Sequence, residues 1–294
     1  MAAIASPVVA ESPWAFHPHP DVWVLLIALG VGYVAALRFF GPDHVGVGVR
    51  PASVRQQVLF FAGLGALWIG ADWPMHDLSE DYLFSAHMVQ HMLFTFVAPP
   101  LLLLGSPRWM LRALLRPAAV RSVVGWLTRP LVALVSFNAV VAVTHWPAIV
   151  DASLRSEPVH FLVHVVLVAT ATLMWWPVVS PLPETARLSE PAKMFYLFLQ
   201  SVLPTVPASF LTFADQPLYG FYAAVPRVWP WLDVVTDQRV AGLIMKLGGG
   251  ALLWTVIAVL FFRWSAREER ADSEGEMTWE DFERELHAWD LRKT

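Results

Sequence analysis

There is no cysteine among the 294 residues. Disulfide frameworks, zinc ribbons, thiol redox chemistry and thiolate-based copper chaperoning are therefore excluded. Charge is scarce as well: 15% of the residues are charged, against about 25% in soluble domains. The formal net charge of −4 offers no basic footprint for nucleic acid. No internal repeat, GxxxxGK[ST] loop, GxGxxG or GxSxG occurs, and HExxH is missing too. The stretch His87-Met-Val-Gln-His91 has the right spacing but no glutamate to serve as general base. What the chain does have is 56% hydrophobic residues, a mean hydropathy of +0.52 and 15 Trp. Such apolar content excludes disorder and does not fit an ordinary water-soluble domain. Trp favours membrane interfaces.

Apolar stretches of about 17–25 residues mark membrane helices. Seven occur, roughly at 23–39, 54–71, 83–104, 130–145, 158–178, 192–213 and 240–262, the fourth being the shortest. Pro99-Pro100 in the third and Pro204 and Pro207 in the sixth predict kinked or broken helices. These are tolerable where neighbours satisfy the freed carbonyls. The expected fold is thus all-α, a polytopic bundle of seven transmembrane helices over residues 23–264. An N-terminal segment (1–22) precedes it and a polar tail (265–294) follows. The N-terminal segment has no basic run before its apolar stretch, so we read no cleaved signal peptide there. In the tail, Trp279, Phe282, Leu286 and Trp289 recur at helical spacing. They predict a short amphipathic helix lying on the membrane or docking a partner.

Lys and Arg sort unevenly between the two sets of connections. One side carries 16, chiefly Arg38–Arg55, Arg108–Arg129, Arg187, Lys193 and the tail; the other carries three, Arg155, Arg227 and Arg239. The positive-inside rule then places the N-terminus outside and the C-terminus in the cytoplasm. Lys246 lies inside the last span, where a charge needs a partner. Asp237, Asp215 or Asp72 could reach it, or it snorkels to the surface.

Eight of the ten His fall on the predicted outer face. His87 and His91 open the third span, His145 closes the fourth, and His160 and His164 open the fifth. His17, His19 and His76 lie in outer segments. Residues i and i+4 share a helix face, about 6 Å apart along the axis. Each pair can therefore present two imidazoles to one point, at the depth of His145. Ionisable side chains inside a membrane usually face the bundle interior. Five imidazoles at one depth read as a metal site, with haem as the rival ligand and a proton path as a third option. Met88 and Met92 interleave with the first pair and could add soft donors or simply pack. Imidazole with thioether, and no Cys, favours copper, above all Cu(I). No carboxylate lies within these helix ends, which disfavours a hard oxygen site.

These residues carry a resemblance. The run His87-Met-Val-Gln-His-Met-Leu-Phe, then Ala98-Pro-Pro-Leu and Gly105-Ser-Pro, resembles the hallmark of the CtaG family. So do His145-Trp-Pro, the His160/His164 pair leading into Trp175-Trp-Pro-Val, and Asp237-Gln followed by Ala241-Gly-Leu-Ile-Met245. The resemblance covers some 200 residues with the motifs in order. It departs at Lys246, where the family usually has an aromatic residue. It implies a non-enzymatic, multi-pass protein of the bacterial plasma membrane that helps assemble caa3-type cytochrome c oxidase. It further implies a role in supplying copper to that copper-containing enzyme, with oxidase subunits or copper chaperones as partners. The single-span, cysteine-bearing chaperone of the same name is a different protein. On this reading the metal ligands come from His87, His91, His145, His160 and His164, with Met88 and Met92. A copper transporter, a haem-binding redox protein and a metal-free scaffold for oxidase subunits are the alternatives.

Overall fold

A computed structural model describes residues 12–182, 184, 185, 188–275 and 279–290. Residues 1–11, Arg187 and Lys293, which entered the sequence reading, lie outside them. Every regular element among the described residues is helical. In chain order they are α1 (Pro20–His44), α2 (Val54–Ala71), α3 (Met75–Asp81), α4 (Phe84–Gly105), α5 (Arg108–Leu114), α6 (Ala118–Leu127) and α7 (Pro130–Thr144). Then come α8 (Pro147–Leu154), α9 (Glu157–Val179), α10 (Glu190–Phe213), α11 (Gly220–Ala224), α12 (Val234–Ala271) and α13 (Trp279–Asp290). Six of them, α1, α2, α4, α9, α10 and α12, are long and apolar enough to cross a membrane. The expected fourth span is α7, at 15 residues too short to count alone; with α6 it forms a pair bent by 78°. Helix α12 continues past residue 265 into the polar segment.

Local sequence explains the helix starts. Ser53 and Gln56 form a capping box on α2, each side chain meeting the other residue's backbone N–H. Asp233 accepts from the Val235 and Thr236 amides at the head of α12. Pro at the first turn of α1, α7 and α9 removes an N–H that has no helical partner anyway.

The prolines act differently in the two helices expected to break. In α10 the helix breaks between Val202 and Thr205, at Pro204. Pro99-Pro100 do not break α4; a π turn at Leu93–Val97 precedes them and the helix continues. Without N–H groups on these prolines, the Thr95 carbonyl lacks its helical donor. The Trp175 indole of α9 donates to it instead, at 2.9 Å. The substitution that frees a carbonyl thus ties α4 to α9.

Glycine sets the closest helix contacts. A Cβ on Gly105 of α4 would collide with the Phe60 backbone of α2, and one on Gly242 of α12 would lie 2.9 Å from the Ala208 carbonyl of α10. Large apolar side chains such as Val24, Ile27, Leu131, Phe161, Phe210 and Phe262 are exposed around the bundle. That distribution suits a surface facing acyl chains rather than water. An open groove between α1 and α2 belongs to the same apolar surface, from Trp23 to Phe39 on one wall and Phe61 to Trp68 on the other.

The helix ends sort into two groups. At one end, Trp23 of α1 donates to Asp72, the Phe84 amide of α4 donates to Asp237 of α12, and Tyr219 donates to the His145 carbonyl. At the other, Trp109 donates to the Pro51 carbonyl, Arg112 pairs with Glu184, and Arg267 with Glu190.

Candidate metal centre

The first end holds the histidines. On α4, His87 and His91 stand one turn apart with ring centroids 4.2 Å from each other, as i and i+4 geometry requires. On α9, His160 and His164 do the same, also at 4.2 Å. The two pairs face each other: His87 to His160 is 5.7 Å, His87 to His164 is 6.0 Å and His91 to His164 is 5.4 Å. His145, following α7, completes the group 5.8 Å from His91. All five predicted imidazoles are therefore contiguous. His87, His91 and His164 come closest to a ligand set, each with a ring nitrogen within 4.8 Å of the others.

The rings are buried yet underused. His87, His91 and His160 are 4–6% exposed. Among the described residues, His87 Nδ1, His91 Nε2, His145 Nε2, His164 Nε2 and both His160 nitrogens have no hydrogen-bond partner. Each such orphan costs about 1–3 kcal/mol. His145 has a defined tautomer: its Nδ1–H donates to the Val141 carbonyl at 2.7 Å, leaving the Nε2 lone pair free.

Two acidic groups shape the site in roles the sequence did not show. Glu80, on α3, puts Oε1 3.0 Å from His160 Nε2 and 3.2 Å from His76 Nδ1. The approach to His160 is at ion-pair distance but off the axis of a hydrogen bond. A carboxylate thus does reach the cluster, from a neighbouring element rather than from the His-bearing helices. Asp237, fully buried, accepts from the Phe84 and Ser85 amides and from the Ser85 hydroxyl. It caps α4 from another helix and so fixes the turn that aims His87 and His91. The Asp237-Gln motif marked the residue but not this role.

Beyond Glu80 the histidines continue outward. His76 meets His19 edge to face at 4.4 Å, and His17 and His19 each lie 2.7 Å from Asp77. Burial lowers the His76 pKa, against the pull of Glu80. All eight histidines assigned to one face therefore form a single string.

Met88 and Met92 lie on the side of α4 away from His160. With His91, His145 and Met245 they line a cavity of about 30 Å³ below the imidazoles. Lys246 pairs with none of the three expected carboxylates. Asp72 accepts from Trp23 and Trp68, Asp215 pairs with Arg239 and Asp237 caps α4. The ammonium sits 5.7 Å above the Phe213 ring. The tail residues Trp279, Phe282 and Leu286 are exposed on α13, a helix as expected.

Fold and site together define a polytopic helical membrane protein with a buried imidazole cluster near one end of its bundle. The family model for the cytochrome c oxidase caa3 assembly factor, Caa3_CtaG, matches residues 31–267, and the chain belongs to that family. Among curated proteins it is similar to an uncharacterized protein of Mycobacterium bovis and one of Mycobacterium tuberculosis. Each is 24% identical over 277 residues, covering 85% of this chain and 39% of the relative. A Mycobacterium leprae relative is 25% identical over 267 residues, covering 83% of this chain and 38% of its own length. The chain thus spans about two fifths of the length of these relatives. No solved structure matches it.

Proposed function

We propose that this assembly factor carries copper for the oxidase, holding Cu(I) at the imidazole cluster and handing it to an oxidase subunit or a copper chaperone. The observation that carries the reading is the convergence of His87, His91 and His164 within 4.8 Å, buried and with ring nitrogens unpartnered. Neutral imidazole suits Cu, Zn, Fe and Ni alike; the neighbouring thioethers and the family's oxidase favour copper. The family's assembly role favours binding and transfer over turnover. Against a haem reading stands the packing: the imidazoles of α4 and α9 lie directly against one another, with ring centroids 5.4, 5.7 and 6.0 Å apart.

The working topology has seven spans, the N-terminus outside, the C-terminus in the cytoplasm and the cluster at the outer face of a bacterial plasma membrane. Two features support it. The Lys and Arg count falls on the other side, and α7 is the segment that returns the chain from the end of α4 to the start of α9.

The test is metal analysis of detergent-purified protein loaded with Cu(I) and washed. The expected result is retained copper that is lost in the His87→Ala/His91→Ala variant, together with oxidase activity in cells carrying it. Bound copper should also raise the Tm, since a ligand held only by the folded state stabilises it. Copper-free wild type, or a double variant that still supports oxidase assembly, overturns the proposal and leaves the scaffold reading.

A further inference from the structure

Below the imidazoles, a partly open cavity of about 30 Å³ has among its lining residues Met88 and Met92 of α4, Met245 of α12, the His91 and His145 rings and Gln200. We infer that it is a second copper station, a thioether seat for Cu(I) that receives the ion from the imidazole cluster. The inference rests on the copper reading above and adds a second site and a ligand class to it.

Size comes first. A water-sized guest needs about 10–15 Å³, so the cavity takes one small guest and nothing larger. Methionine ordinarily fills gaps, because its three torsions let the thioether adapt. Here three of them line one cavity. Gly249 keeps the space open: a Cβ there would sit 3.4 Å from Met92 Sδ and 3.3 Å from the Phe96 ring.

Backbone geometry points to the same place. Both helices that supply the sulfurs are locally unwound into π turns, at Leu93–Val97 directly after Met92 and at Ile244–Gly248 around Met245. Such turns are rare in α-helices and concentrate at functional sites. In α12 the extra residue changes the register at Met245, which is buried against the cavity.

Donor chemistry selects the ion. No carboxylate lines the cavity, so every donor is neutral, and thioethers are soft. A monovalent, soft cation matches that set better than a divalent one, whose second charge would stay uncompensated away from water. His91 and His145 belong to both stations, and both carry an unpartnered Nε2. They are the natural relay: an ion leaving His87 and His164 keeps His91 while it gains sulfur.

X-ray absorption at the copper edge of the full chain, loaded with Cu(I) in detergent, decides the question. Sulfur in the first coordination shell of the wild type supports the seat. That sulfur should be lost in Met88→Leu/Met92→Leu/Met245→Leu, a swap that nearly conserves volume, and kept in His87→Ala/His164→Ala. Copper bound by nitrogen alone in the wild type overturns the thioether station while leaving the imidazole reading intact. Failure of the imidazole reading would look different, as a wild type that retains no copper at all. The wild-type spectrum needs no variant, so the outcome does not depend on how well the triple substitution folds.

Discussion

Residues decide how much of the site could be foreseen. His87/His91 and His160/His164 were legible because i, i+4 spacing on an apolar helix dictates a shared face. His145 was legible from depth alone. Glu80 and Asp237 were not: the first reaches His160 from another helix, and the second acts on backbone amides 152 and more positions away. No local pattern encodes such a tertiary contact. Asp72 is a third case, and it yields a pH prediction. Burial raises its pKa, but the indole N–H groups of Trp23 and Trp68 more than offset this and hold it below the ordinary carboxylate value. A depressed folded pKa means a contribution present above the unfolded value of about 4. It is lost as pH falls through the folded value. Asp72→Asn should therefore cost about 1 kcal/mol at pH 7, read as a lower Tm, with the gap closing at strongly acid pH. An equal gap at pH 3 and pH 7 would refute this account.

At the scale of elements, hydropathy located the long helices well because the bilayer fixes their length. It could not tell a broken helix from a continuous one. Pro204 ends a segment, whereas Pro99-Pro100 ride through on a π turn and a borrowed Trp175 donor. The difference lies in a partner helix, not in α4 itself. It also could not see where helices touch. Gly105 carries no special backbone angle; what it provides is room, because the α2 backbone at Phe60 occupies the position of its missing Cβ. Tyr33 of α1 also donates to the Gly105 carbonyl at 2.9 Å, so three helices meet there. Gly105→Ala should destabilise the protein by about 1–3 kcal/mol through overpacking, seen as a fall in Tm. It sits at the end of the bundle opposite the imidazoles. Copper retained per folded molecule should accordingly stay at the wild-type level. A full-strength Tm would show that α2 and α4 can part there without penalty.

For the whole molecule, the number of crossings and their orientation together fix which compartment the imidazoles face. Six helices pass on length and apolarity, and α7 is short. Yet α4 ends beside Pro51 and Trp109, while α9 begins at the histidine end. On the seven-span reading the intervening residues climb back through the bundle along α7, whose Ala133 and Phe137 are fully buried. An odd number of crossings puts the two termini on opposite sides; an even number puts them together. The absence of cysteine makes the distinction easy to measure, because any introduced thiol is unique. Ser12→Cys and Ala288→Cys place one at each exposed end of the described chain. In intact cells a membrane-impermeant maleimide should label the first and spare the second until the membrane is opened. Labelling of both, or of neither, would reduce the crossings to an even number. Labelling of Ala288→Cys alone would keep seven but turn the imidazoles to the cytoplasm, and the copper they hold would then come from inside the cell.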